Sequence, residues 1–178
     1  DRSLFQLPVA FYIVADFEAF NAPCSDVNYS KKTTKLTEHV PNSFGYKVIC
    51  PLNDTFSKPY VSYRGDNAIG KFLEAIFTEE EWIEQRLNEF KQSKPNLSPE
   101  EERSFRAQRF CYLCCREFDG TFIWKVRDHC HVTGKYRSAA CNHCNLKLVV
   151  PSRIPVIFHN LQGYDGHLIM QEIGKFKE

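Results

Sequence analysis

The chain contains 178 residues, of which 43% are hydrophobic and 25% charged, and its formal net charge is +1. These values are ordinary for a globular protein and argue against wholesale disorder. The sequence has no apolar run of the ~18 residues that a membrane-spanning helix needs, and its apolar N-terminal stretch contains acids, unlike a signal peptide. We therefore expect an intracellular protein that has no membrane partner.

The first part of the chain predicts three strands. PVAFYIVADFEAF (residues 8–20) is a short apolar run typical of a buried strand, and SFGYKVICPL (43–52) and KPYVSYRG (58–65) are bounded by Pro and Gly. Asp16 and Glu18 lie two residues apart in the first strand, so their side chains share one face. Such a pair is unfavourable in an apolar strand unless a cation neutralises it. Alternatively, the strand end turns into solvent there.

Helices and a boundary follow. Residues 67–92 predict one helix, and KQSKPNLSPEEE (91–102) predicts a boundary at which Ser98 caps a second helix, with Pro99 in its first turn and Glu101 completing a capping box. After a second boundary at Pro151, IPVIFHN (154–160) predicts a strand and residues 164–178 a helix. The apolar stripe of the first helix is Ile69, Phe72, Leu73, Ile76, Phe77, Ile83, Leu87 and Phe90.

Two cysteine pairs, CYLC (111–114) and CNHC (141–144), have the spacing of a metal site. Paired C-x-x-C spacing without a secretory signal favours metal over disulfides. Each pair places two sulfurs on one tight turn, the arrangement that tetrahedral zinc accepts at ~2.3 Å. The sequence therefore predicts a structural Zn²⁺ ion held by Cys111, Cys114, Cys141 and Cys144.

The segment between the two pairs contains groups suited to a second metal ion. Asp128 ends a short predicted strand, and Asn145 directly follows the last cysteine. A carboxylate and an amide oxygen that converge suit Mg²⁺ or Mn²⁺, and the imidazole of His129 or His131 could deprotonate a water for attack on phosphorus. Alternatively, the histidines are surplus zinc ligands or polar residues of a hairpin, and composition does not separate these interpretations.

Positive charge is concentrated around the cysteines. From Glu102 to Val150 nine lysines and arginines face four acids. A basic block beside a metal site favours contact with phosphate and so a DNA partner. A solvated basic face is an equally good interpretation of the charge alone.

The order C-x-x-C, D-H-x-H, T-G-x-x-R and C-x-x-C-N, from about Cys111 to Leu148, resembles the recombination endonuclease VII family. The resemblance implies a treble-clef zinc site with a ββα-metal, HNH-like centre. It also implies the residues of a catalytic centre. His129 would be the general base, and Asp128 and Asn145 would hold a catalytic Mg²⁺ or Mn²⁺. The groups that contact the phosphate would be His131 and Arg137 or Lys135.

A second resemblance involves the terminal parts of the chain. D-x-E at Asp16 and Glu18, followed by N-x-x-x-Y-D from Asn160 to Asp165, resembles the first two exonuclease motifs of family B DNA polymerases. Those motifs belong to an RNase H-like 3′–5′ exonuclease domain, in which carboxylates hold two metal ions ~4 Å apart. The resemblance implies that Asp16, Glu18 and Asp165 hold Mg²⁺ or Mn²⁺, and that Asn160 and Tyr164 position the substrate strand.

The order of five segments along the chain resembles that in the protein-primed family B polymerases of Maverick/Polinton transposons and related virus-like elements. The segments are YRGDNAIGKFLE, CYLCC, KVRDHCHVTGKYR, CNLKL and IPVIFHNLQGYDGHLIMQ. In these polymerases an endonuclease VII-like module interrupts the exonuclease domain. We therefore expect an α/β fold in which residues 1–105 and 152–178 form an incomplete RNase H-like core. Residues 106–151 would form the inserted zinc module, and the strand with Asp16 would lie beside residues 154–159.

The expected function is that of a DNA-processing nuclease region that hydrolyses phosphodiesters with a metal ion, endonucleolytically at the zinc module. The third exonuclease motif and the polymerase palm are missing, so neither polymerisation nor exonuclease activity is expected of this segment. The alternative is a non-catalytic DNA-binding or protein-interaction module of a truncated, domesticated transposon polymerase. Expected partners are DNA and either the rest of a polymerase chain or a host protein, and the expected location is the nucleus.

Overall fold

The computed structural model describes residues 5–23, 37–148, 150–151 and 153–176. It has a mixed α/β structure that divides into two compact units. The sheet unit consists of the described parts of Tyr12–Ile49, Phe56–Glu81 and Pro155–Glu178. The cysteine unit consists of the described parts of Asp1–Phe11, Cys50–Thr55 and Trp82–Ile154.

The described residues form strands, α-helices and short turns of other helix types. The turns are the 3-10 turns Asp54–Phe56 and Ile173–Phe176 and the π-helical turn Leu161–Asp165. In chain order the main elements are β1 (Tyr12–Pro23), β2 (Thr37–Ile49), β3 (Val61–Arg64), α1 (Ala68–Phe90), α2 (Pro99–Ala107), β4 (Lys125–His129), β5 (Tyr136–Cys141), α3 (Asn142–Lys147), β6 (Val156–Phe158) and α4 (Gly166–Glu172).

The sheet unit is built on a four-stranded sheet in the order β3-β2-β1-β6. β1 pairs antiparallel with β2 and parallel with β6, where Ile13 lies opposite Val156 and Ala15 opposite Phe158. The expected pairing of the Asp16 strand with residues 154–159 is thereby confirmed. β6 is shorter than predicted, since Pro155 lacks an N–H and takes part only through its carbonyl, which accepts a bond from the Ile13 N–H at 2.9 Å.

One face of this sheet forms an aromatic core. The Phe17 ring lies 4.8 Å from that of Phe72 on α1, 5.7 Å from that of Phe158 and 6.3 Å from that of Phe44. Alternation along β1 leaves Asp16 and Glu18 exposed on the opposite face. The core thus fixes which face of the sheet the two carboxylates occupy.

Helix α1 has nearly the predicted bounds, and most of its predicted stripe is buried or half-buried. Phe77 is the exception, with 42% of its surface exposed. Helix α2 begins as predicted: Ser98 Oγ accepts a bond from the Glu101 N–H at 3.2 Å, and Glu101 Oε2 accepts one from the Ser98 N–H at 2.8 Å. The predicted capping box is confirmed.

In the cysteine unit, β4 and β5 form an antiparallel hairpin that is followed directly by α3. Gly134, with a φ of 71°, donates its N–H to the Cys130 carbonyl and closes the turn. The Gly134 carbonyl accepts a bond from the Asn96 N–H at 2.9 Å, which ties residues before α2 to the hairpin. The cysteine unit thus includes residues on the N-terminal side of α2, such as Asn96, together with the hairpin.

None of the helices in the described ranges has both the length and the apolar character that crossing a membrane requires.

Candidate metal centres

The four predicted zinc ligands meet in the structure. The sulfurs of Cys111, Cys114, Cys141 and Cys144 all lie within 4.8 Å of one another, and none of them forms a disulfide. A zinc–sulfur bond of ~2.3 Å gives sulfur separations of ~3.8 Å in a tetrahedron, and the Cys114 and Cys141 sulfurs are 3.9 Å apart. The four thiols therefore fit a zinc ion.

Local backbone geometry assembles this cluster. The Cys115 N–H bonds the Cys111 carbonyl at 2.9 Å, with Cys115 in the left-handed region at a φ of 56°. The Cys141 N–H donates to Cys111 Sγ at 3.2 Å. Burial alone would raise the pKa of the Cys111 thiol, but backbone N–H donors, including Cys141, outweigh it and lower that pKa to about 7. The backbone thus favours the thiolate that binds zinc.

Asp128, the predicted ligand of a catalytic ion, is buried and accepts three hydrogen bonds from two neighbours. Arg137 donates from Nε to Oδ2 at 2.7 Å and from Nη2 to Oδ1 at 2.6 Å. The Tyr112 hydroxyl also donates to Oδ2, at 2.6 Å. The bonds to Asp128 hold the pKa of Arg137 above its usual value. Arg137, which we expected to contact phosphate, instead pairs with the carboxylate.

The two histidines of D-H-x-H stack on each other, with ring centroids 4.7 Å apart. His129 Nε2 lies 3.1 Å from the Ser93 carbonyl and Nδ1 lies 3.3 Å from the Arg127 carbonyl. His131 Nδ1 lies 3.3 Å from the Phe90 carbonyl. Burial, and then the charge of His129, lower the pKa of His131. Neither histidine belongs to the cysteine cluster, so the structure does not favour them as surplus zinc ligands.

Asn145 lies on α3, and Lys135 lies in the turn between β4 and β5. Asn145 is half-buried on α3, and its carbonyl accepts a bond from the Leu148 N–H. Lys135 is exposed just before β5, and its carbonyl accepts the Cys130 N–H at 2.8 Å. The hairpin and helix therefore have the β-β-α order that the sequence analysis expected around this centre.

Much of the basic block is neutralised within the chain. Arg127 makes two bonds to Glu102, at 2.8 and 3.0 Å, and these bonds lower the pKa of Glu102 to about 2. Lys125 donates to three backbone carbonyls at the end of α2. Arg116 and Lys135 are exposed to solvent. The remaining ion pairs are Arg103–Glu100, Arg106–Glu102, Arg109–Glu117 and Arg137–Asp128.

The second candidate site lies in the sheet unit. Asp165 is 1% exposed at the end of the π-helical turn, and its Oδ1 has no hydrogen-bond partner among the described residues. Burial, and then the charge of Asp16, raise the pKa of Asp165. Burial, and then the charges of Asp165 and Glu18, raise the pKa of Tyr164. The buried, unpartnered Oδ1 of Asp165 is thus one potential cation ligand, and Asp16 lies close enough for its charge to influence the ionisation of Asp165.

Asn160 is exposed at the start of the same turn, where its carbonyl accepts the Tyr164 N–H at 3.0 Å. The sequence analysis missed a cavity of about 270 Å³ beside Asp16 and Glu18, which Tyr60 and Arg64 also line. KPYVSYRG predicted only a strand. In the structure this strand lies at the edge of the sheet, two strands away from the strand of Asp16. Its position follows from the topology and not from any local sequence pattern.

Comparison with known proteins gives one match. A family model described as recombination endonuclease VII matches residues 88–152, just over a third of the chain. No curated protein and no solved structure matches. The matched range contains the four cysteines, the hairpin and α3. Over residues 88–152, the chain is therefore similar to the recombination endonuclease VII family.

Proposed function

We propose that the chain is a metal-dependent DNA nuclease that cuts phosphodiester bonds endonucleolytically at the β4–β5 hairpin and α3. The observation that carries this proposal is the family match, which coincides with the β-β-α segment that holds Asp128 and the stacked histidines beside a four-cysteine cluster. The runner-up, a non-catalytic DNA-binding or interaction module, would use the same cluster without the chemistry.

His129 is the proposed general base. A carbonyl oxygen only accepts hydrogen bonds, so a neutral ring donates to the Ser93 or the Arg127 carbonyl but not to both. The other ring nitrogen then carries a lone pair that can take a proton from a water molecule. A small rotation away from Ser93 would expose that lone pair to solvent.

Asp128 and Asn145 are the proposed ligands of a Mg²⁺ or Mn²⁺ ion, with His131 near the phosphate. When bound, such an ion supplies charge stabilisation at the phosphate and acidifies a water. Asp128 accepts three hydrogen bonds and keeps one oxygen lone pair for this ion. Because Arg137 is bonded to Asp128, exposed Lys135 and Arg116 are the better candidates for phosphate contact.

The test is cleavage of single-stranded, duplex and branched DNA with Mg²⁺. We expect His129→Ala and Asp128→Ala to reduce the rate by ~10²–10⁴-fold, and Asp16→Ala to leave it unchanged. His167→Ala, which removes an exposed histidine from α4, is the matched control. Loss of activity in Asp16→Ala with full activity in His129→Ala would assign cleavage to the sheet unit.

A second function is favoured by the orphaned oxygen of Asp165. We propose that the sheet unit is an incomplete RNase H-like 3′–5′ exonuclease core in which Asp16, Glu18 and Asp165 bind Mg²⁺ or Mn²⁺, while Asn160 and Tyr164 position a strand. The parallel β1–β6 pairing and the influence of the Asp16 charge on buried Asp165 support it. Binding of Mn²⁺ that survives Asp165→Asn would contradict it.

The wider setting is also a proposal. The order of motifs along the chain supports a transposon or virus-like family B polymerase whose exonuclease core, residues 1–105 and 152–178, is interrupted by a treble-clef module, residues 106–151. Such a protein would act on DNA in the nucleus, together with the rest of a polymerase or a host protein. Fluorescence localisation and recovery of bound partners from cells would test this setting.

A further inference from the structure

Tyr112 makes a contact that no motif predicts. Its hydroxyl donates to Asp128 Oδ2 at 2.6 Å, although the ring lies in the CYLC turn, between two zinc ligands. The residue therefore links the cysteine cluster to the carboxylate of the proposed catalytic centre.

The bond from Tyr112 determines which oxygen of Asp128 still has a free lone-pair position. A carboxylate oxygen has two lone-pair positions. Oδ2 receives the Tyr112 hydroxyl and Arg137 Nε, so both of its positions are taken. Oδ1 receives Arg137 Nη2 alone, so one position remains. Asp128 can therefore accept one more partner, and it does so through Oδ1.

The backbone of Tyr112 is held within the CYLC turn (residues 111–114). Its N–H donates to the Ala139 carbonyl on β5 at 3.1 Å, and the turn is closed by the Cys115 N–H bonded to the Cys111 carbonyl. Ala139 in turn lies opposite Arg127, the residue before Asp128. The turn that gathers two zinc ligands thus fixes the backbone from which the Tyr112 hydroxyl reaches Asp128.

We propose that Tyr112 is a positioning residue, which saturates Oδ2 and so presents Oδ1 of Asp128 as the single oxygen for a divalent cation. The inference rests on the proposed function, in which Asp128 is a ligand of that cation. Groups that orient a metal ligand typically change metal affinity by ~10–100-fold when removed. Tyr112→Phe removes the hydroxyl and keeps the ring in the turn.

The experiment measures Mn²⁺ binding by electron paramagnetic resonance on zinc-loaded full chain that carries Asp16→Asn, which weakens the other candidate site. We expect Tyr112→Phe to weaken Mn²⁺ binding about tenfold with unchanged zinc content and melting temperature. The matched control is Tyr136→Phe, which removes a hydroxyl of the same hairpin that does not take part in the hydrogen bonds to Asp128. It should bind Mn²⁺ like the parent.

A kinetic readout separates positioning from a structural role. In the cleavage assay Tyr112→Phe should raise the Mg²⁺ concentration at half-maximal rate about tenfold, while saturating Mg²⁺ restores the parent rate. If Tyr112 had a purely structural role, Tyr112→Phe would lower the cleavage rate even at saturating Mg²⁺, and that result would overturn the inference.

The outcomes for the two proposals are distinct. If Asp128→Ala weakens Mn²⁺ binding and Tyr112→Phe does not, the role of Tyr112 is wrong and the metal centre stands. If Asp128→Ala leaves Mn²⁺ binding unchanged, both the metal centre and the role of Tyr112 are wrong. If Tyr112→Phe weakens Mn²⁺ binding but the parent cuts no DNA, the positioning role stands and the proposed nuclease function falls.

Discussion

Loss of one cysteine from the cluster should unfold the cysteine unit and not merely weaken it. Cys144 is 5% exposed, and its sulfur belongs to a group whose members lie within 4.8 Å of one another. Zinc binding in such four-ligand sites is worth ~10–16 kcal/mol, which matches the whole stability of a typical domain, ~5–15 kcal/mol. We therefore expect Cys144→Ser to lose both its zinc and its cooperative melting transition.

The chain offers a matched control for this substitution. Cys115 is an exposed thiol next to the cluster but outside it. Cys115→Ser should therefore retain one equivalent of zinc and the parent melting temperature.

The measurements are zinc content by atomic absorption and thermal unfolding by circular dichroism, each with and without a chelator. Chelator should destabilise the parent and Cys115→Ser equally, and should have little further effect on Cys144→Ser. If Cys144→Ser kept stoichiometric zinc and the parent melting temperature, our assignment of the ligands would be refuted.

Three further changes test other parts of the structure. Because burial and the charge of Asp16 raise the pKa of Asp165, its ionisation opposes folding: stability falls as the pH rises from the unfolded pKa to the raised folded pKa, and the penalty is complete above it. Asp165→Asn should therefore raise the melting temperature at neutral pH without divalent ions and abolish stabilisation by Mg²⁺. Ser98→Ala removes the capping bond to Glu101 and should cost about 1 kcal/mol in urea unfolding; an unchanged midpoint would mean that α2 is not held by its cap. Phe17→Ala empties the centre of the aromatic core and should cost ~3–5 kcal/mol in the same assay.

Features governed by local chemistry were predictable from the sequence. The capping box at Ser98 depends on residues three apart, and the cysteine cluster on two tight turns, and both occur as predicted. The pairing of β1 with β6 was also predicted, but from the resemblance to exonuclease motifs and not from either strand by itself.

Features governed by tertiary register were not predictable. Arg137 looked available for phosphate, yet the β4–β5 register places it against Asp128, and Tyr112 reaches the same carboxylate from a different turn. Part of the charge neutralisation was visible in advance, since the pairs of Arg103 with Glu100 and of Arg106 with Glu102 have helical i,i+3 and i,i+4 spacing.

The parallel pairing of β1 with β6 has a consequence for the order of folding. Ile13 and Val156 face each other, so β6 can join the sheet only after the segment between them, including the cysteines, has been synthesised. Such distant contacts slow folding, because the closure entropy of the loop must be lost before the contact forms. Zinc that orders the intervening cysteines would shorten the effective loop, although each halving is worth only about 0.6 kcal/mol. We therefore expect metal supply during synthesis to affect how fast the sheet forms, and only weakly how stable it is afterwards.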